Sequence, residues 1–77
     1  MIRVGNVGVG QMFLYNGAVF VVMPFNCDDR KYYNLCIATR NYDYGLGDQI
    51  WLDEMVEVQY ISTSMVRDFI PKDWEVK

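Results

Sequence analysis

The most distinctive pattern in the chain is an apolar segment over residues 12–23 that is interrupted only by Asn16 and Gly17. Asn-Gly supplies the positive φ angles of a two-residue type I′ turn, and strand-forming residues flank it on both sides. The sequence therefore predicts a β-hairpin over residues 11–23. The turn sets the following pairs: Met12 with Val21, Phe13 with Phe20, Leu14 with Val19, and Tyr15 with Ala18.

Both faces of this predicted hairpin are apolar. One face carries Phe13, Tyr15, Phe20 and Val22, and the other carries Met12, Leu14, Val19, Val21 and Met23. A half-buried strand alternates apolar with polar residues, so a hairpin that is apolar on both faces must be covered on both sides. We expect a homo-oligomer to provide the second cover, with the chain's own tail as the alternative.

Three further segments alternate with a period of two. Residues 32–40 predict a third strand with one inner face, placing Tyr33, Leu35 and Ile37 opposite Asn34, Cys36, Ala38 and Arg40. Residues 49–52 and 56–61 repeat the pattern on either side of the short polar connection Asp53-Glu54. They predict a second hairpin.

The tail, residues 62–77, changes to helical spacing. Its apolar positions are Met65, Val66, Phe69 and Ile70, which follow a capping segment at residues 62–64 and precede Pro71. One or two helical turns are predicted there. With five short strands and no long helix, the fold class is all-β, a small five-stranded antiparallel SH3-like or OB-like barrel, because closure removes exposed edges. Residues 1–77 form a single domain, with the barrel over 1–61.

The order of these motifs resembles small SH3-like barrel accessory proteins of tailed bacteriophages. The resemblance rests on the segment from Val9 to Val22, then Asn34-Leu35, Ile50-Trp51-Leu52-Asp53 and Val56-Glu57-Val58. It covers residues 9–61 and consists mainly of fold motifs. It implies a phage accessory gene, whose products often antagonise host enzymes or host defence, acting in the host cell cytoplasm. Residues 41–48 and the tail depart from the bare barrel, and function is expected in such additions.

Charge and hydropathy exclude several kinds of partner. The net charge of −3 argues against general nucleic-acid binding, which depends on counterion release by basic side chains. The longest apolar stretch, residues 18–25, is far shorter than the roughly 20 residues that span a bilayer. We expect no secretion signal, because Met1-Ile2-Arg3 lacks a basic segment followed by an apolar one. Cys27 and Cys36 fit neither a redox motif nor a zinc ribbon. We expect two reduced thiols in a cytoplasmic protein, with Cys36 buried.

Catalytic and metal chemistry find little support in the residues. No histidine occurs, which removes the usual nucleophilic pairs, zinc sites and general base. The acidic pairs Asp28-Asp29 and Asp53-Glu54 are interpreted as solvated turn charges, because adjacent strand residues point to opposite faces. Residues 5–10 lack the lysine of a phosphate loop and lead into a strand. A calcium loop that begins at Asn41 would need a bidentate glutamate at its twelfth position, and Leu52 stands at that position. We expect that the protein is not an enzyme and that it binds no cofactor or metal ion.

The candidate ligand-binding residues combine cations with aromatic rings. They are Arg40, Asn41, Tyr42, Asp43 and Tyr44 in one loop, with Arg30, Lys31 and Trp51 elsewhere. Rigid tyrosines beside an arginine suit stacking on a planar ring, and the adjacent basic pair suits a phosphate. The alternatives are that Tyr42 and Tyr44 pack across the barrel mouth and that the basic pair is a solvated turn. Trp51 is either a ligand platform or an interface residue.

These features predict a non-enzymatic, phage-type binding protein. In the first hypothesis it antagonises host defence by sequestering a small anionic, nucleotide-like signal molecule. The alternative is an inhibitor that binds a host protein through an acidic and aromatic surface. A structural or DNA-associated phage component is a third class, but no basic stripe favours it.

Overall fold

A computed structural model describes residues 1–69 as an antiparallel sheet followed by a short helical segment. Its strands are β1 (Ile2–Arg3), β2 (Met12–Tyr15), β3 (Ala18–Val22), β4 (Asn34–Thr39), β5 (Gln49–Ile50) and β6 (Glu57–Tyr60). A 3-10 turn, Val4–Asn6, follows β1. The helix α1 (Thr63–Val66) runs into a second 3-10 turn, Arg67–Phe69.

The strands form one six-stranded sheet in the order β1-β6-β2-β3-β4-β5. Every pair is antiparallel. The predicted mainly β, antiparallel fold with a short C-terminal helix is therefore confirmed. The sheet has six strands where five were expected, because Ile2–Arg3 in the lead-in segment pairs with β6.

The predicted β2–β3 hairpin is confirmed in its register. Met12 pairs with Val21, Phe13 with Phe20, Leu14 with Val19, and Tyr15 with Ala18. Asn16 and Gly17 have φ angles of 51° and 75°. Both angles lie in the left-handed region that a two-residue type I′ turn requires.

The predicted second hairpin is wrong. β5 pairs with β4, whereas β6 pairs with β1 and β2. The segment between β5 and β6 instead accepts backbone hydrogen bonds from the turn that follows β1. The Val4 N–H donates to the Val56 carbonyl oxygen at 2.8 Å, and the Gly5 N–H donates to that of Glu54 at 3.0 Å. Residues 51–56 thus carry the chain from one end of the strand order towards the other.

The alternation predicted for the third strand is broken by a β-bulge. Val19 pairs with Ala38 but Phe20 pairs with Cys36, which leaves Ile37 as the extra residue. Cys36 and Ala38 are both buried and belong to different core clusters, so the prediction that placed them on one face is wrong. One inserted residue moves the side chains of all later residues in the strand to the opposite face of the sheet.

The core consists of two clusters, one on each side of the β2–β3 hairpin. The larger contains Val4, Val7, Phe13, Ala18, Phe20, Val22, Cys36 and Val58. In it, the rings of Phe13 and Phe20 stack with centroids 5.6 Å apart. The smaller contains Val19, Ala38 and Ile61. Both faces of the hairpin are covered, as their apolar character predicted.

The second cluster is completed by the chain's own C-terminal segment. Val66 and Phe69 pack against it, which is the alternative in which the tail covers the sheet. The helical turns predicted there are present, although Ser62 at the N-cap makes no side-chain capping bond. Ile70 and Pro71 lie outside the described residues. The homo-oligomer stays a prediction. Within residues 1–69, no helix has the length and apolar character needed to cross a membrane.

Candidate ligand-binding cleft

A cavity of about 580 Å³ lies between the two ends of the strand order. Val4 and Gly5, which follow β1, line one part of it, and residues 51–54, which follow β5, line another. The sheet must therefore be curved, because the segments that follow its two edge strands, β1 and β5, line the same cavity. A volume between roughly 300 and 1,000 Å³ is typical of small-molecule sites. We call this cavity the cleft.

The floor of the cleft is apolar except for one amide. Val4, Val7 and Val22 are buried residues of the larger core cluster that also line the cavity. Asn34, the first residue of β4, lines it too and is only 2% exposed. Its Nδ2 donates to the Ile50 carbonyl oxygen at 3.3 Å. An apolar floor with one polar group is a common arrangement in ligand sites.

One wall of the cleft comes from the turn between β3 and β4. The Asn26 N–H donates to the Lys31 carbonyl oxygen at 2.9 Å, and Asn26 Oδ1 accepts from the Asp28 N–H at 2.9 Å. These bonds close a tight turn over residues 26–31. Arg30 and Lys31, the last two residues of this turn, and Tyr32, which follows it, all line the cavity. Two cations and a phenol ring are thus presented together.

The backbone of Arg30 is strained. Its φ of 55° lies in the left-handed region, which costs a residue other than glycine about 1–2 kcal/mol. Strained residues persist where the surrounding structure holds them, and they concentrate at functional sites. Arg30, the strained residue, is also one of the residues that line the cleft.

Aromatic side chains form the rim. Trp51 is 49% exposed, and the Lys31 ammonium lies 5.0 Å from the centroid of its ring. Phe25 and Tyr32, also exposed, contact each other with centroids 5.1 Å apart. All three rings line the cleft. Exposed aromatic faces next to cations are suited to stacking on a planar ligand.

The opposite wall combines a glycine segment with two carboxylates. Gly5 and Gly8 line the cavity together with Asp53 and Glu54. A Cβ atom on Gly5 would lie 2.8 Å from the Cβ of Glu54, so the close approach requires glycine. The N–H groups of Gly5 and Gly8 already donate to the Glu54 carbonyl oxygen and to Gln11 Oε1. These two amides are therefore not free to hold a phosphate.

The carboxylates of Asp29 and Asp53 make local contacts within turns. The Tyr33 hydroxyl donates to the Asp29 carboxylate, and this bond raises the pKa of Tyr33, with burial and the Asp29 charge adding to the effect. Asp53 Oδ1 accepts from the Met55 N–H at 2.9 Å. Both contacts agree with the interpretation of these acids as turn residues.

Three predicted ligand residues, Arg30, Lys31 and Trp51, meet at the cleft although they come from different parts of the chain. The other five, at positions 40–44, do not line it. Asn41 Nδ2 donates to the Asn16 carbonyl oxygen at 2.8 Å, and Asn41 Oδ1 accepts from the Asp43 N–H at 2.9 Å. Asn41 therefore ties this loop to the hairpin turn.

The two tyrosines of that loop have different surroundings. Tyr44 packs edge-on against Phe20 with centroids 5.3 Å apart, and its hydroxyl accepts from Asn16 Nδ2 at 3.3 Å. Tyr42 is fully exposed. The alternative in which Tyr42 and Tyr44 both pack against the barrel is therefore correct for Tyr44 and wrong for Tyr42. Arg40 also points elsewhere, since its guanidinium lies 5.2 Å from the Phe69 ring centroid.

Sequence reasoning missed several cleft residues. Phe25 and Tyr32 flank the polar turn over residues 26–31, and this flanking was an available signal. Asn34 carried another signal, because it is a polar residue on a face whose next member, Cys36, was expected to be buried. The role of Gly5 had no local signal, since it depends on contact with Glu54, far along the chain.

Cysteine and metal chemistry add nothing to the cleft. Both cysteines are free thiols, with Cys27 exposed and Cys36 buried. Burial raises the pKa of Cys36, which keeps it a neutral thiol. Over the part of the chain that the structure describes, no group of three or more His, Cys, Asp or Glu residues is placed to hold a metal ion.

Comparison with protein-family models, curated proteins and solved structures finds no match to this chain. The resemblance to phage accessory barrels therefore stays an expectation from the sequence. The fold and cleft define a class, a small antiparallel β protein with a cavity between the ends of its sheet. Function has to be argued from the residues of that cavity.

Proposed function

We propose that this protein binds a small anionic, nucleotide-like ligand in the cleft and does not transform it. The observation that carries the proposal is that Arg30, Lys31 and Trp51 line one cavity of about 580 Å³. A nucleotide needs a cation for its phosphate and an aromatic face for its base. The cleft offers both above an apolar floor.

The phosphate is assigned to the basic pair. Arg30 and Lys31 are exposed at the cleft, so a phosphate bound there keeps part of its hydration. Arginine supplies a planar fork of donors and lysine a compact charge. Charge-assisted hydrogen bonds of this kind contribute about 1.5–3 kcal/mol each.

The base is assigned to the rim and floor. The Lys31 ammonium lies over the Trp51 ring, a contact worth about 0.5–1 kcal/mol at an exposed site. A nucleotide replaces this contact with two others, because its phosphate takes the ammonium and its base takes the indole face. Stacking of a base on an aromatic side chain contributes about 1–3 kcal/mol. The exchange favours the bound state.

The absence of histidine from the chain supports binding without turnover. The Asp53 carboxylate in the cleft accepts a hydrogen bond from the Met55 N–H within its own turn, which is a structural contact. Sequestration needs only affinity. It is one way to antagonise host defence, a role that the resemblance to phage accessory barrels implies.

A second candidate function is supported by the same rim. Phe25, Tyr32 and Trp51 are exposed large aromatic residues around one opening. Aromatic residues in a cluster are frequent anchors of protein interfaces. A host protein that inserts a side chain into the cleft would use these anchors, with Asp28 on the neighbouring turn as a polar contact.

Calorimetric titration with a panel of nucleoside monophosphates, cyclic nucleotides and short oligonucleotides tests the proposal. Arg30→Ala and Lys31→Ala should each weaken binding at least about tenfold, because each removes a charge-assisted contact. Arg40→Ala and Tyr42→Ala are the matched controls, and they should change the affinity less than about twofold. Recovery of unchanged nucleotide after prolonged incubation is expected.

Two results would contradict the proposal. One is equal loss of affinity in the cleft variants and the controls, which would place the site elsewhere. The other is no binding of any nucleotide at millimolar concentration. A host protein that co-purifies with the wild type and is lost with Trp51→Ala would then favour the interface function.

A further inference from the structure

Asn34 is an unusual residue in the cleft because it is polar and buried. It is the one buried polar or charged residue among those whose burial the structure describes within residues 1–69. It pairs with Val22 on one side and Ile50 on the other. An amide in such surroundings is costly unless its hydrogen-bonding groups are used.

The orientation of the Asn34 amide follows from its partner. A backbone carbonyl only accepts, so the atom that faces the Ile50 carbonyl oxygen at 3.3 Å must be Nδ2. Oδ1 is then the other atom of the amide. Within the described chain this contact is the only hydrogen bond of the Asn34 side chain, so Oδ1 accepts none there.

The unused oxygen keeps a small contact with solvent. Among the described residues, no side-chain nitrogen or oxygen atom is fully buried without a hydrogen-bond partner. Oδ1 of Asn34 has no such partner, so it retains access to solvent, and Asn34 lines the cavity. The lining of the cleft therefore includes one acceptor, together with the apolar residues Val4, Val22 and Leu52.

We propose that Asn34 determines the specificity of the cleft by accepting a hydrogen bond from an exocyclic amino group on the base of the ligand. This inference rests on the proposed function and deepens it. The phosphate stays at the exposed Arg30 and Lys31, and the base enters towards the floor. The favoured class is an amino-bearing nucleotide, such as one containing adenine or cytosine.

The chemistry of the acceptor explains the selection. A base with a carbonyl at the same position, such as uracil or hypoxanthine, would set two acceptors against each other. A base with hydrogen there would leave Oδ1 dehydrated and unpaired. Sites built to bond a substrate N–H reject the analogue that lacks it, because their own polar group is left unpaired.

The test compares pairs of nucleotides that differ at the amino group. AMP and CMP should bind the wild type about tenfold more tightly than purine riboside 5′-monophosphate and UMP, respectively, as loss of one buried hydrogen bond implies. Asn34→Leu, of similar size, should bind both members of each pair alike. Lys31→Ala is the control, since it should weaken both members equally and keep their ratio.

A purely structural role for Asn34, in which it only holds β5 through Ile50, would leave the ratio unchanged in Asn34→Leu. Equal affinities within both pairs for the wild type would also overturn the specificity role, while leaving nucleotide binding intact. Failure of all four mononucleotides to bind would overturn the role of Asn34, whereas the proposed function fails with it only if no other nucleotide of the calorimetric panel binds.

A second measurement covers the case in which Asn34→Leu does not fold. Nuclear magnetic resonance of the wild type should show a shift of the Asn34 side-chain amide signals with AMP that purine riboside 5′-monophosphate does not reproduce. Identical shifts with the two nucleotides would contradict the proposal.

Discussion

The turn between β3 and β4 and the loop between β4 and β5 resemble each other in composition. Each combines cations, tyrosines and carboxylates within about ten residues. In the first, Arg30, Lys31 and Tyr32 line a cavity. In the second, Asn41 is hydrogen-bonded to its own loop and to the hairpin turn, and Tyr44 is packed against the core.

The difference arises from what each segment faces. Four residues of the first segment share a cavity with residues 51–54, namely Phe25, Arg30, Lys31 and Tyr32. Residues 40–44 lie beside the tight turn at Asn16 and Gly17, which supplies hydrogen-bond partners, and they do not line the cleft. Recognition therefore depends on a concave surface as well as on suitable residue types.

The largest effect expected from this comparison is on stability. Tyr44→Ala should lower the free energy of unfolding by about 2–4 kcal/mol, because it removes a ring packed against Phe20 and the partner of Asn16 Nδ2. Urea denaturation measures the loss. Tyr42→Ala, the exposed control, should stay within about 0.5 kcal/mol of the wild type. Similar losses in the two variants would remove the structural role assigned to Tyr44.

The glycines of the two regions should also differ. Gly5→Ala should cost about 1–3 kcal/mol, because the new Cβ would lie 2.8 Å from that of Glu54 and force the wall of the cleft to shift. Gly45→Ala is the control in the other loop, where the nearest atom would be 3.4 Å away. Chemical denaturation of both variants checks the contrast. An equal cost at Gly45 would argue against a special constraint at Gly5.

Arg30→Gly should change stability and binding in opposite directions. Glycine adopts a φ of 55° without strain, so the variant should gain about 0.5–1 kcal/mol of stability. It should also bind the anionic ligand more weakly, because the guanidinium is lost. Arg30→Ala separates the two effects, since it loses the charge and keeps the strain. A glycine variant that is less stable than the alanine variant would be inconsistent with strain at this residue.

The smallest effect concerns pH. The pKa of Tyr33 is raised above its ordinary value of 10.0 by the hydrogen bond to Asp29, so folding favours the protonated phenol. The resulting stabilisation is present below pH 10 and is lost as the pH rises through the pKa of the folded state. The difference in tyrosinate absorbance between wild type and Tyr33→Phe reports this titration. Asp29→Asn should lower its midpoint, and an unchanged midpoint would exclude Asp29 as the main cause.

Local patterns predicted much of the fold correctly. The Asn16-Gly17 turn, the register of the first hairpin and the helical turns after Ser62 are all present. Each depends on the conformational preferences and spacing of neighbouring residues. The apolar character of both hairpin faces likewise showed that both are covered. It left open which chain covers the second face, and in the structure Val66 and Phe69 contribute to it.

The candidate site could be predicted only in part. Arg30, Lys31 and Trp51 were recognisable as ligand residues by their chemistry, but nothing local showed that they meet. Positions 40–44 have equally suitable chemistry and lie elsewhere. The polar residue Asn34 among apolar neighbours was a further signal in the sequence. Such a residue does not show, however, whether its side chain bonds another residue or faces a cavity.

The amino-acid sequence by itself determined the fold class, the first hairpin and the kinds of side chain available for binding, because these follow from backbone preference and periodicity. Only the tertiary structure decided the pairing of β5 and β6, the bulge at Ile37 and the position of the cleft. These features depend on hydrogen bonds and packing between distant segments, such as Gly5 against Glu54. Such contacts are set by the relative stability of whole sheet arrangements, which no local pattern specifies.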